Sequence, residues 1–475
     1  MQTETHKIMI GGEWRETSKK ERVLNPFNGK VVAEVYHSTE KEFDEVIDKA
    51  EQAFAVTRNL PVYKRVKILE RVIEGLKERQ DELAETITLE AGKPILSSRT
   101  EVLRAINTFT IAMEEAKRIP GEVIPLDLME GSEGRVGIVR RFPVGPILGI
   151  SPFNFPLNLV AHKVAPAIAA GNPIIIKPAS KTPLTALILG DIVDKAGGPD
   201  GAISVIPCPG SIAGDYIGDK RIEMLTFTGS PEVGWALKGR AGRKKVTLEL
   251  GGNAGAIVHS DSDIDLAAKR CVVGAFSYSG QVCISVQRIF VQQEVYGPFL
   301  KRLIETTKAL RIGDPMDEKT DIGPMIDKGA VDRIEEWVEE AVKGGAKVTI
   351  GGKRKGTVFD PTILTDTRPD MKVNCKEVFA PVVTVEPYKD FEEAVQGVND
   401  SDYGLQAGVF TNDLNRIFYA FNEIQAGGVI VNDVPTYRTD QMPYGGIKES
   451  GFGREGVKYA IEEMTEMKLL ALNTN

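Results

Sequence analysis

The sequence predicts an α/β protein with two doubly wound α/β domains and a small third unit of extended strands. From Val144 onward, short aliphatic runs alternate with helical stretches, and the alternation restarts after Gly252. Strands that read as continuous apolar runs between helices are typical of βαβ units whose parallel sheet is buried on both faces. The length of 475 residues also exceeds one ordinary core and indicates two or three domains.

The region before the first sheet is predicted to be helical. Residues 39–117 contain three blocks with helical periodicity, "EFDEVIDKAEQAFAV", "VYKRVKILERVIEGLKERQ" and "SSRTEVLRAINTFTIAMEEAKR". In the first block the apolar residues recur at spacings of three and four: Phe43, Val46, Ile47, Ala50 and Phe54. Each block is therefore expected to bury one face against the sheet domain.

The two sheets are predicted from two series of apolar runs. The first series is "GPILGI", "PIIIK", "AISVI", "IEMLTF" and "VTLELGG", and the second is "AGAIV", "RIFVQ", "AKVTI" and "GGVIVN". The pair Gly251–Gly252 separates the two series and is the expected domain boundary. The segments "LDLMEGSEGRVGIVRRFP" and "EEMTEMKLLALNTN" fit neither series and are predicted to be extended strands of the third unit.

Composition excludes several classes of protein. Acidic residues exceed basic residues by 67 to 59, which gives a net charge of −8 and argues against nucleic acid or an anionic membrane as partner. The four cysteines include no C-x-x-C pair and the four histidines are scattered, so neither a disulfide framework nor a metal site is expected. The start "MQTETHKIMIGGEW" lacks the pattern of a signal or transit peptide. With no apolar run long enough to cross a bilayer, a cytoplasmic protein is expected.

Polar residues follow the predicted strands at their carboxyl ends, where ligands bind in open α/β sheets. Asn154 lies in "GISPFNFP", Lys177 and Ser180 lie in "IIIKPAS", and Glu249 ends "TLELGG". The stretch "LTFTGSPEVG" places Gly229 and Ser230 before a helix whose free N–H groups suit a phosphate. Only this position makes the two residues candidates for phosphate binding. Taken singly, each residue has an ordinary explanation as a turn former, a solvated charge or a loop.

Cys283 lies in "SYSGQVCISVQR", a small polar turn that contains a glycine. A lone cysteine is more often a small buried apolar residue than a nucleophile. Whether Cys283 is a nucleophile therefore depends on the residues in the other stretches.

Seven stretches together resemble the aldehyde dehydrogenase superfamily. They are "SPFNFP", "KPAS", "FTGS", "LELGG", "GQVC", "EVFAP" and "PYGGIKESGFGREG", in the order and at the spacing of that family, across nearly the whole chain. The resemblance implies an aldehyde dehydrogenase-like fold in three parts. We expect a dinucleotide-binding domain at 1–118 and 139–251, a catalytic domain at 252–445, and a bridging oligomerisation unit at 119–138 and 446–475. A homodimer or homotetramer is the assembly that it implies.

The resemblance also implies the roles of individual residues. Cys283 is expected to attack the aldehyde carbon as thiolate, with oxyanion donors from the Asn154 amide and its own backbone N–H, and Glu249 to activate the hydrolytic water. NAD or NADP is the implied cofactor, and Glu377 and Lys177 are expected to bind its two riboses. The full set of expected cofactor-binding residues is Ile150, Ser151, Pro152, Phe153, Lys177, Ser180, Gly210, Gly229, Ser230, Val233, Leu250, Glu377 and Phe379.

Two residues bear on the acyl acceptor and on the choice of cofactor. Family branches that transfer the acyl group to coenzyme A commonly lack the glutamate at Glu249, so water is the expected acceptor here. Strictly NAD-using members often carry an acidic residue where this chain has Ser180, and a carboxylate there repels a 2′-phosphate. Ser180 does not repel it and Lys181 adds positive charge, so NADP or both cofactors are expected. A coenzyme A-acylating enzyme, or a non-catalytic structural protein on the same scaffold, are the alternatives.

The expected substrate tunnel is polar. Phe155, Asn158 and His162 share one helix face because they are spaced by three and four residues. Arg104 on a second helix, and Arg438 and Tyr444 in the glycine-rich loop, are expected at the same tunnel.

Two converging guanidinium groups would repel each other, so we expect an aldehyde with oxygen atoms or negative charge to lie between them. Lactaldehyde or a similar small aldehyde fits best. Glyceraldehyde 3-phosphate fits less well because Val282 stands where some phosphate-accepting members carry arginine. The alternative is that His162 is a satisfied core histidine and that Arg104 forms a structural ion pair.

Overall fold

The computed structural model describes residues 4–474 and confirms the α/β fold. The first sheet has eight strands, and its five central strands are parallel. Antiparallel strands complete both edges. In spatial order the strands are Gly451–Phe452, Lys245–Glu249, Met224–Thr228, Ile147–Ile150, Ile174–Lys177, Ile203–Val205, Ile8–Ile10 and Glu13–Arg15.

The second sheet has seven strands, of which only the first is antiparallel to its neighbour. Their spatial order is Lys347–Ile350, Thr362–Thr365, Val382–Tyr388, Val286–Gln292, Ala254–Val258, Gln406–Phe410 and Gly428–Val431. Both series of predicted apolar runs therefore form sheets, and the chain passes from one sheet to the other at Gly251–Gly252.

Successive residues of the buried strands belong to separate apolar cores. Ile174 and Ile176 pack into one cluster, and Ile175 between them packs into another on the opposite face of the sheet. Burial on both faces explains why "IIIK" reads as a continuous apolar run rather than an alternating one.

Helices cover both sheets. Within the described residues they are Glu40–Thr57, Val62–Glu78, Gln80–Ala91, Ile95–Ala116, Asn158–Ala170, Leu184–Lys195, Gly210–Tyr216, Pro231–Arg240, Ile264–Phe276, Tyr296–Lys308, Lys328–Lys343, Lys372–Cys375, Phe391–Asn399, Leu414–Glu423 and Val457–Glu463, with a 3₁₀ turn at Ser277–Gly280. The N-terminal region forms four helices where the periodicity predicts three. The additional helix, Gln80–Ala91, has no clear apolar stripe, and it ends at Gly92 with a left-handed φ of 68°.

A separate three-stranded sheet contains the two segments that fit neither series. Its strands are Thr465–Asn473, Arg135–Pro143 and Glu122–Pro125, all antiparallel. The expected boundary at residue 138 falls inside the strand Arg135–Pro143. Residues 446–464 also lie elsewhere, because Gly451–Phe452 extends the first sheet. The sequence could not show this, since a short strand does not reveal its partner.

Short strands complete the chain. Thr5–His6, Val31–His37 and Lys19–Leu24 form a three-stranded sheet, Arg354–Lys355 pairs with Val358–Phe359, and Tyr403–Gly404 pairs with Ile447–Lys448. Over residues 4–474, no helix is both long and apolar enough to span a membrane. The same residues contain no group of three or more histidine, cysteine, aspartate or glutamate side chains that could hold a metal ion.

The carboxyl ends of the parallel strands meet at one edge of the first sheet. The Ser151 N–H donates to the Lys177 carbonyl at 3.1 Å, and the Gly229 N–H donates to the Glu249 carbonyl at 3.0 Å. The second sheet approaches this edge at Gly252, where an added Cβ would lie 2.1 Å from the carbonyl oxygen of Cys283. The fold therefore brings the predicted functional residues of both sheets to one cleft.

Candidate active site

The loop that carries Cys283 has a constrained backbone. Tyr278 and Ser279 have left-handed φ angles of 49° and 54°. Gly280 has a φ of 68°, and a Cβ there would lie 2.1 Å from the Ala380 carbonyl oxygen. Only glycine fits this position, because other residues would add both a clash and backbone strain. The turn directs the following residues towards the cleft.

The Cys283 thiol lies against the glycine-rich loop. Its Sγ is 3.1 Å from the Tyr444 hydroxyl. Burial raises the pKa of Cys283 to about 11, and the Tyr444 hydroxyl and the nearby Arg438 charge oppose this rise. The thiol is therefore the resting form at neutral pH, and forming the thiolate requires a proton acceptor.

Asn154 lies beside the cysteine loop. Its Nδ2 donates to the carbonyl of Gln281 at 2.9 Å, which leaves the second N–H of the amide for another acceptor. Gln281 is itself fixed, because its Oε1 accepts from the Ile326 N–H at 2.8 Å. The Asn154 amide is thus held by a backbone group two residues before Cys283.

Glu249 is a buried carboxyl group without a hydrogen bond. Its side chain follows the strand Lys245–Glu249, and neither oxygen has a partner among the described residues. Burial, reinforced by the charge of Glu455, raises the pKa of Glu249 well above its usual value. A carboxyl group with a raised pKa and unused oxygens can exchange a proton with water near neutral pH.

Glu455 is ionised beside Glu249. Its Oε1 accepts from Lys163 Nζ at 3.1 Å, and its Oε2 lies 3.4 Å from Arg438 Nη2. Burial works against its charge, but Lys163 and Arg438 lower the pKa of Glu455 well below its usual value. Two neighbouring carboxyl groups therefore have pKa values displaced in opposite directions, which is typical of sites where one of them handles protons.

A cavity of about 640 Å³ leads to Cys283 from the side of the first sheet. Its lining residues are Pro152, Phe153, Asn154, Leu159, Thr228, Gly229, Ser230, Pro231, Glu232, Leu250, Gly251, Cys283, Arg333, Trp337, Lys372, Lys376, Glu377, Phe379 and Tyr403. Seven of the expected cofactor-binding residues belong to this lining. Among the others, Ile150 and Lys177 end neighbouring strands and Ser151 follows Ile150. Gly210 begins a helix, and Val233 is exposed on the helix Pro231–Arg240.

Glu377 closes the cavity near Cys283. Its Oε1 accepts from the Gly252 N–H at 2.9 Å, and burial raises the pKa of Glu377 to about 7. A Cβ on Gly251 would lie 2.6 Å from Glu377 Oε2, so the glycine leaves room for this carboxyl group. The second oxygen is available to a hydroxyl group in the cavity.

Lys177 and Ser180 lie together beyond the strand Ile174–Lys177. Burial lowers the pKa of Lys177, whose Nζ donates to the Pro178 carbonyl at 3.1 Å. Ser180 Oγ lies 3.5 Å from the Cys208 carbonyl. Lys181 differs from the expectation, because it forms an ion pair with Asp327 and so adds little net charge beside Ser180.

These features fit a bound dinucleotide. The cavity has a volume of about 640 Å³, Lys177 is a buried cation at the end of a neighbouring strand, and backbone N–H groups follow Ser230 at a helix start. Glu377, with one oxygen unused, provides the acceptor that ribose hydroxyl groups require.

The polar groups expected at the substrate tunnel are brought together by Asp440. Its Oδ1 accepts from Arg104 Nη2 at 2.7 Å, from His162 Nε2 at 3.1 Å and from Asn158 Nδ2 at 3.3 Å. Arg438 instead stacks on the Tyr444 ring, 3.5 Å from its centroid.

Contrary to the expectation from the sequence, Arg104 and Arg438 do not require a charged ligand between them. Arg104 is compensated by Asp440, and Arg438 by Glu455, so the two guanidinium groups do not require a shared ligand to offset their repulsion. The structural ion pair considered for Arg104 is present. Burial, together with the charge of Arg438, lowers the pKa of His162 and keeps it neutral.

The Phe155 ring packs against Lys93 and Tyr278. Lys93 Nζ lies 3.7 Å from the centroid of the Phe155 ring, and the Tyr278 ring meets its edge. Lys93 in turn pairs with the buried Glu101, which accepts from two N–H groups at the start of the helix Asn158–Ala170. Phe155 therefore helps to hold the cysteine turn and this helix together.

The sequence profile of the Aldehyde dehydrogenase family matches residues 14–470. This chain belongs to the aldehyde dehydrogenase family. The predicted fold and enzyme class are thereby confirmed: the protein is an oxidoreductase that acts on aldehydes.

Two relatives align with nearly the whole of this aldehyde dehydrogenase. The 3-sulfolactaldehyde dehydrogenase of Priestia aryabhattai is 46% identical over 473 residues, which cover 99% of each chain. The lactaldehyde dehydrogenase of Methanococcus aeolicus is 42% identical over 472 residues, which cover 98% of this chain and 100% of the relative.

Two solved structures are also similar. Aldehyde dehydrogenase 21 from Physcomitrella patens, in complex with the reaction product succinate, is 45% identical with a TM-score of 0.98, covering 100% of this chain and 99% of its own. Glyceraldehyde-3-phosphate dehydrogenase GapN from Methanocaldococcus jannaschii, complexed with NADP, is 40% identical with a TM-score of 0.93, covering 96% of this chain and 100% of its own. The predicted use of a nicotinamide cofactor agrees with the NADP complex of the GapN neighbour.

Several residues of the site escaped sequence reasoning. Asp440, Lys163 and Glu455 are buried charged residues whose partners are far away in the sequence. The only signal for Asp440 is an acidic residue two positions after Arg438, and the only signal for Lys163 is a charged residue within a mostly apolar helix. Gln281 carried no signal, because its role depends on a contact with Asn154.

Proposed function

We propose that this aldehyde dehydrogenase oxidises a short polar aldehyde, similar to lactaldehyde, to its carboxylate, with Cys283 as the nucleophile. The observation that carries the proposal is the position of Cys283, at the end of the cavity and beside the Asn154 amide. The unpartnered Glu249 carboxyl group supports it. No other described cysteine is as suitable, because Cys208 and Cys271 are buried and Cys375 lies outside the cavity.

In the first step the Cys283 thiolate attacks the aldehyde carbon, and the carbonyl oxygen becomes an oxyanion in a thiohemiacetal. The second N–H of Asn154 and the backbone N–H of Cys283 donate to this oxyanion. Removing one such donor typically costs roughly 10²–10³ in rate. Arg438, whose charge already opposes the raised pKa of Cys283, stabilises the thiolate that attacks.

NAD(P)⁺, when bound, supplies the hydride acceptor for the oxidation of this carbon. Glu377 would hold the nicotinamide ribose through its unused oxygen, and Lys177 would hold the adenosine ribose. The start of the helix Pro231–Arg240 would receive the pyrophosphate. Loss of the hydride leaves Cys283 acylated as a thioester.

Glu249 then completes the reaction with water. Its ionised form takes a proton from a water molecule, which attacks the thioester carbon. The C–S bond then breaks and the proton of the new carboxylic acid passes to the sulfur, so the products are a carboxylate and the Cys283 thiol, with one proton on Glu249. This step disfavours the coenzyme A-acylating alternative, because that acceptor needs no carboxylate base. A non-catalytic scaffold is disfavoured because a buried carboxyl group without partners lowers the stability of the folded state. In a protein without catalytic activity, Glu249 would carry that cost and serve no function.

The cofactor is NADP or both NADP and NAD. Ser180 places no negative charge against a 2′-phosphate, and the GapN neighbour was crystallised with NADP. Ser180 and Lys177 are the residues that favour NADP, since Lys181 is paired with Asp327.

The substrate is a small aldehyde with additional oxygen atoms. The relatives named for lactaldehyde and 3-sulfolactaldehyde both suggest a hydroxylated three-carbon core. Arg438 and Tyr444 are the polar groups nearest to Cys283 on the loop side. Glyceraldehyde 3-phosphate is the less favoured member of this class because Val282 provides no cation. The protein is expected to be cytoplasmic and homo-oligomeric.

The test is reduction of NAD and NADP, followed by absorbance, across lactaldehyde, 3-sulfolactaldehyde, succinic semialdehyde, glyceraldehyde 3-phosphate and propanal, with and without coenzyme A. We expect higher kcat/KM for the hydroxylated aldehydes than for propanal, and a carboxylate product in both conditions. Cys283→Ser is expected to bind the cofactor but to lose turnover. A preference for propanal would contradict the substrate, and turnover by Cys283→Ser would contradict the nucleophile.

A further inference from the structure

Asp440 is the central acceptor of a buried polar cluster. Besides the three donors at Oδ1, its Oδ2 accepts from Asn107 Nδ2 at 3.3 Å. The Asn158 amide is oriented by Thr108, whose hydroxyl donates to Asn158 Oδ1 at 3.0 Å, so that Nδ2 is left to face Asp440. One carboxylate of the glycine-rich loop thus joins the helices Ile95–Ala116 and Asn158–Ala170.

Asp440 is ionised and its histidine partner is neutral. Burial would raise the pKa of Asp440, but the hydrogen bond from His162 and the charge of Arg104 hold it well below its usual range. The pKa of His162 is lowered by burial and by Arg438. His162 therefore donates its Nε2 hydrogen without adding charge, and among residues 4–474 Arg104 is the only cation that Asp440 contacts.

Cations outnumber anions in the charge cluster near Cys283. The cluster consists of four cations and two anions: Arg104, Lys163, Arg438, Arg454, Asp440 and Glu455. Asp440 offsets Arg104, whereas Glu455 is shared by Lys163 and Arg438. Glu249 adds no charge while its raised pKa keeps it protonated. Positive charge is therefore in excess, and Arg438 is the cluster cation whose charge acts on the Cys283 thiol.

Arg104 lies on the outer side of Asp440. The Arg104 side chain is 26% exposed, whereas that of Asp440 is 3% exposed. A ligand that arrives from solvent meets the guanidinium group first, with the Asp440 carboxylate directly behind it. The attraction of Arg104 for an anion is therefore weakened by a fixed negative charge at hydrogen-bond distance.

We propose that Asp440 is a positioning residue that sets the charge preference for the substrate: by offsetting Arg104 it disfavours aldehydes with two negative charges relative to neutral and singly charged ones. The inference rests on the proposed function and names its substrate class more narrowly. The repulsion from Asp440 grows with the negative charge of the group at the third carbon of a 2-hydroxy aldehyde, so it acts most strongly on a doubly charged group.

The experiment uses three aldehydes that share one core and differ in charge. Lactaldehyde is neutral, 3-sulfolactaldehyde carries one negative charge, and glyceraldehyde 3-phosphate carries nearly two. Their kcat and KM values are measured with the wild-type protein and with Asp440→Asn, which keeps the shape of the side chain and removes its charge. Asp370→Asn is the matched control, because Asp370 also pairs with an arginine but lies on the surface.

In Asp440→Asn we expect the ratio of kcat/KM for glyceraldehyde 3-phosphate to that for lactaldehyde to rise about tenfold. The change is expected mainly as a lower KM for glyceraldehyde 3-phosphate, with a smaller fall in KM for 3-sulfolactaldehyde. Asp370→Asn is expected to leave the ratio unchanged. A purely structural role for Asp440 would lower kcat/KM for all three aldehydes by the same factor, and that outcome would overturn the proposal.

The double variant Arg104→Gln/Asp440→Asn separates charge from direct ligand binding. It removes one charge of each sign, so we expect the ratio to return to within about threefold of wild type. If Arg104 bound the anion independently of Asp440, the ratio would fall below wild type instead. This variant also serves if Asp440→Asn alone does not fold. The proposed function fails separately, if the wild-type protein oxidises none of the three aldehydes.

Discussion

Glu249 and Glu377 both lie close enough to Cys283 for their charge to act on its thiol, and burial is the largest cause of the raised pKa of both. Within residues 4–474, neither forms an ion pair with a lysine or arginine. Uncompensated buried carboxyl groups destabilise the folded state at neutral pH, because the unfolded chain can ionise them freely. Their presence beside Cys283 therefore points to function rather than stability.

Glu249→Gln is expected to stall the reaction after the oxidation step. An amide cannot take a proton from water, so the thioester on Cys283 should hydrolyse at least about 10²-fold more slowly. We expect one burst of reduced cofactor per active site, and an acyl adduct on Cys283 in the intact mass. Absence of both the burst and the adduct would show that Glu249 acts earlier, in forming the thiolate.

Glu377→Gln is expected to change how stability depends on pH. The folded-state pKa of Glu377 is raised to about 7 from 4.5, so its protonated form favours folding and stability falls as pH rises between these values. The variant lacks this loss. Its unfolding free energy in urea, relative to wild type, should increase by roughly 2–3 kcal/mol between about pH 4.5 and about pH 7.5. The same change in the exposed Glu78→Gln control would contradict the assignment.

At the scale of the element, the turn before Cys283 depends on one glycine. Gly280 has a φ of 68° and closely approaches the carbonyl group of Ala380, which lies just before the strand Val382–Tyr388 of the second sheet. The 3₁₀ turn Ser277–Gly280 therefore cannot relax without moving the loop that holds both Gln281 and Cys283. Strain in this turn is coupled directly to the position of the nucleophile.

Gly280→Ala is expected to destabilise the protein by about 2 kcal/mol or more and to lower kcat for every aldehyde, because the added methyl group meets the Ala380 carbonyl. Gly297→Ala is the matched control: no heavy atom lies within 4 Å of its added Cβ, and its φ is not left-handed. Thermal unfolding and kcat check both variants. Equal effects at the two sites would contradict the steric argument.

At the scale of the molecule, the strand Thr465–Asn473 presents an exposed edge. It pairs along one side with Arg135–Pro143, over nine residue pairs, and its other side carries no strand within residues 4–474. Its exposed apolar side chains are Met467, Leu469, Leu470 and Leu472. A long, apolar, unpaired edge tends to associate with another chain, and this supports the predicted homo-oligomer.

Leu470→Arg is expected to weaken that association, because a charge would enter the apolar strand surface. Sedimentation velocity should show the wild-type protein as a dimer or tetramer and the variant as a smaller species at the same concentration. Val342→Arg, at an exposed position on the helix Lys328–Lys343, should not change the sedimentation coefficient. A monomeric wild-type protein would contradict the prediction.

The sequence by itself determined the fold class and the central site residues. Buried strands such as "IIIK" are continuously apolar because both faces are covered, and the residues that follow them must lie at one edge of the sheet. Asn154, Glu249 and Cys283 could therefore be predicted, with the family resemblance supplying their roles, which stay predictions. The cavity beside Cys283 and the unpartnered Glu249 are consistent with those roles.

Only the tertiary structure decided which charges compensate one another. Asp440 and Arg104 are 336 positions apart, and Lys163 and Glu455 are 292 apart. Such pairs leave no periodicity or local motif, because they arise when separate elements pack and a buried charge must find a partner. Strand pairing likewise extends the bridging sheet to Pro143, and packing gives Arg104 and Arg438 the carboxylate partners that the sequence did not reveal.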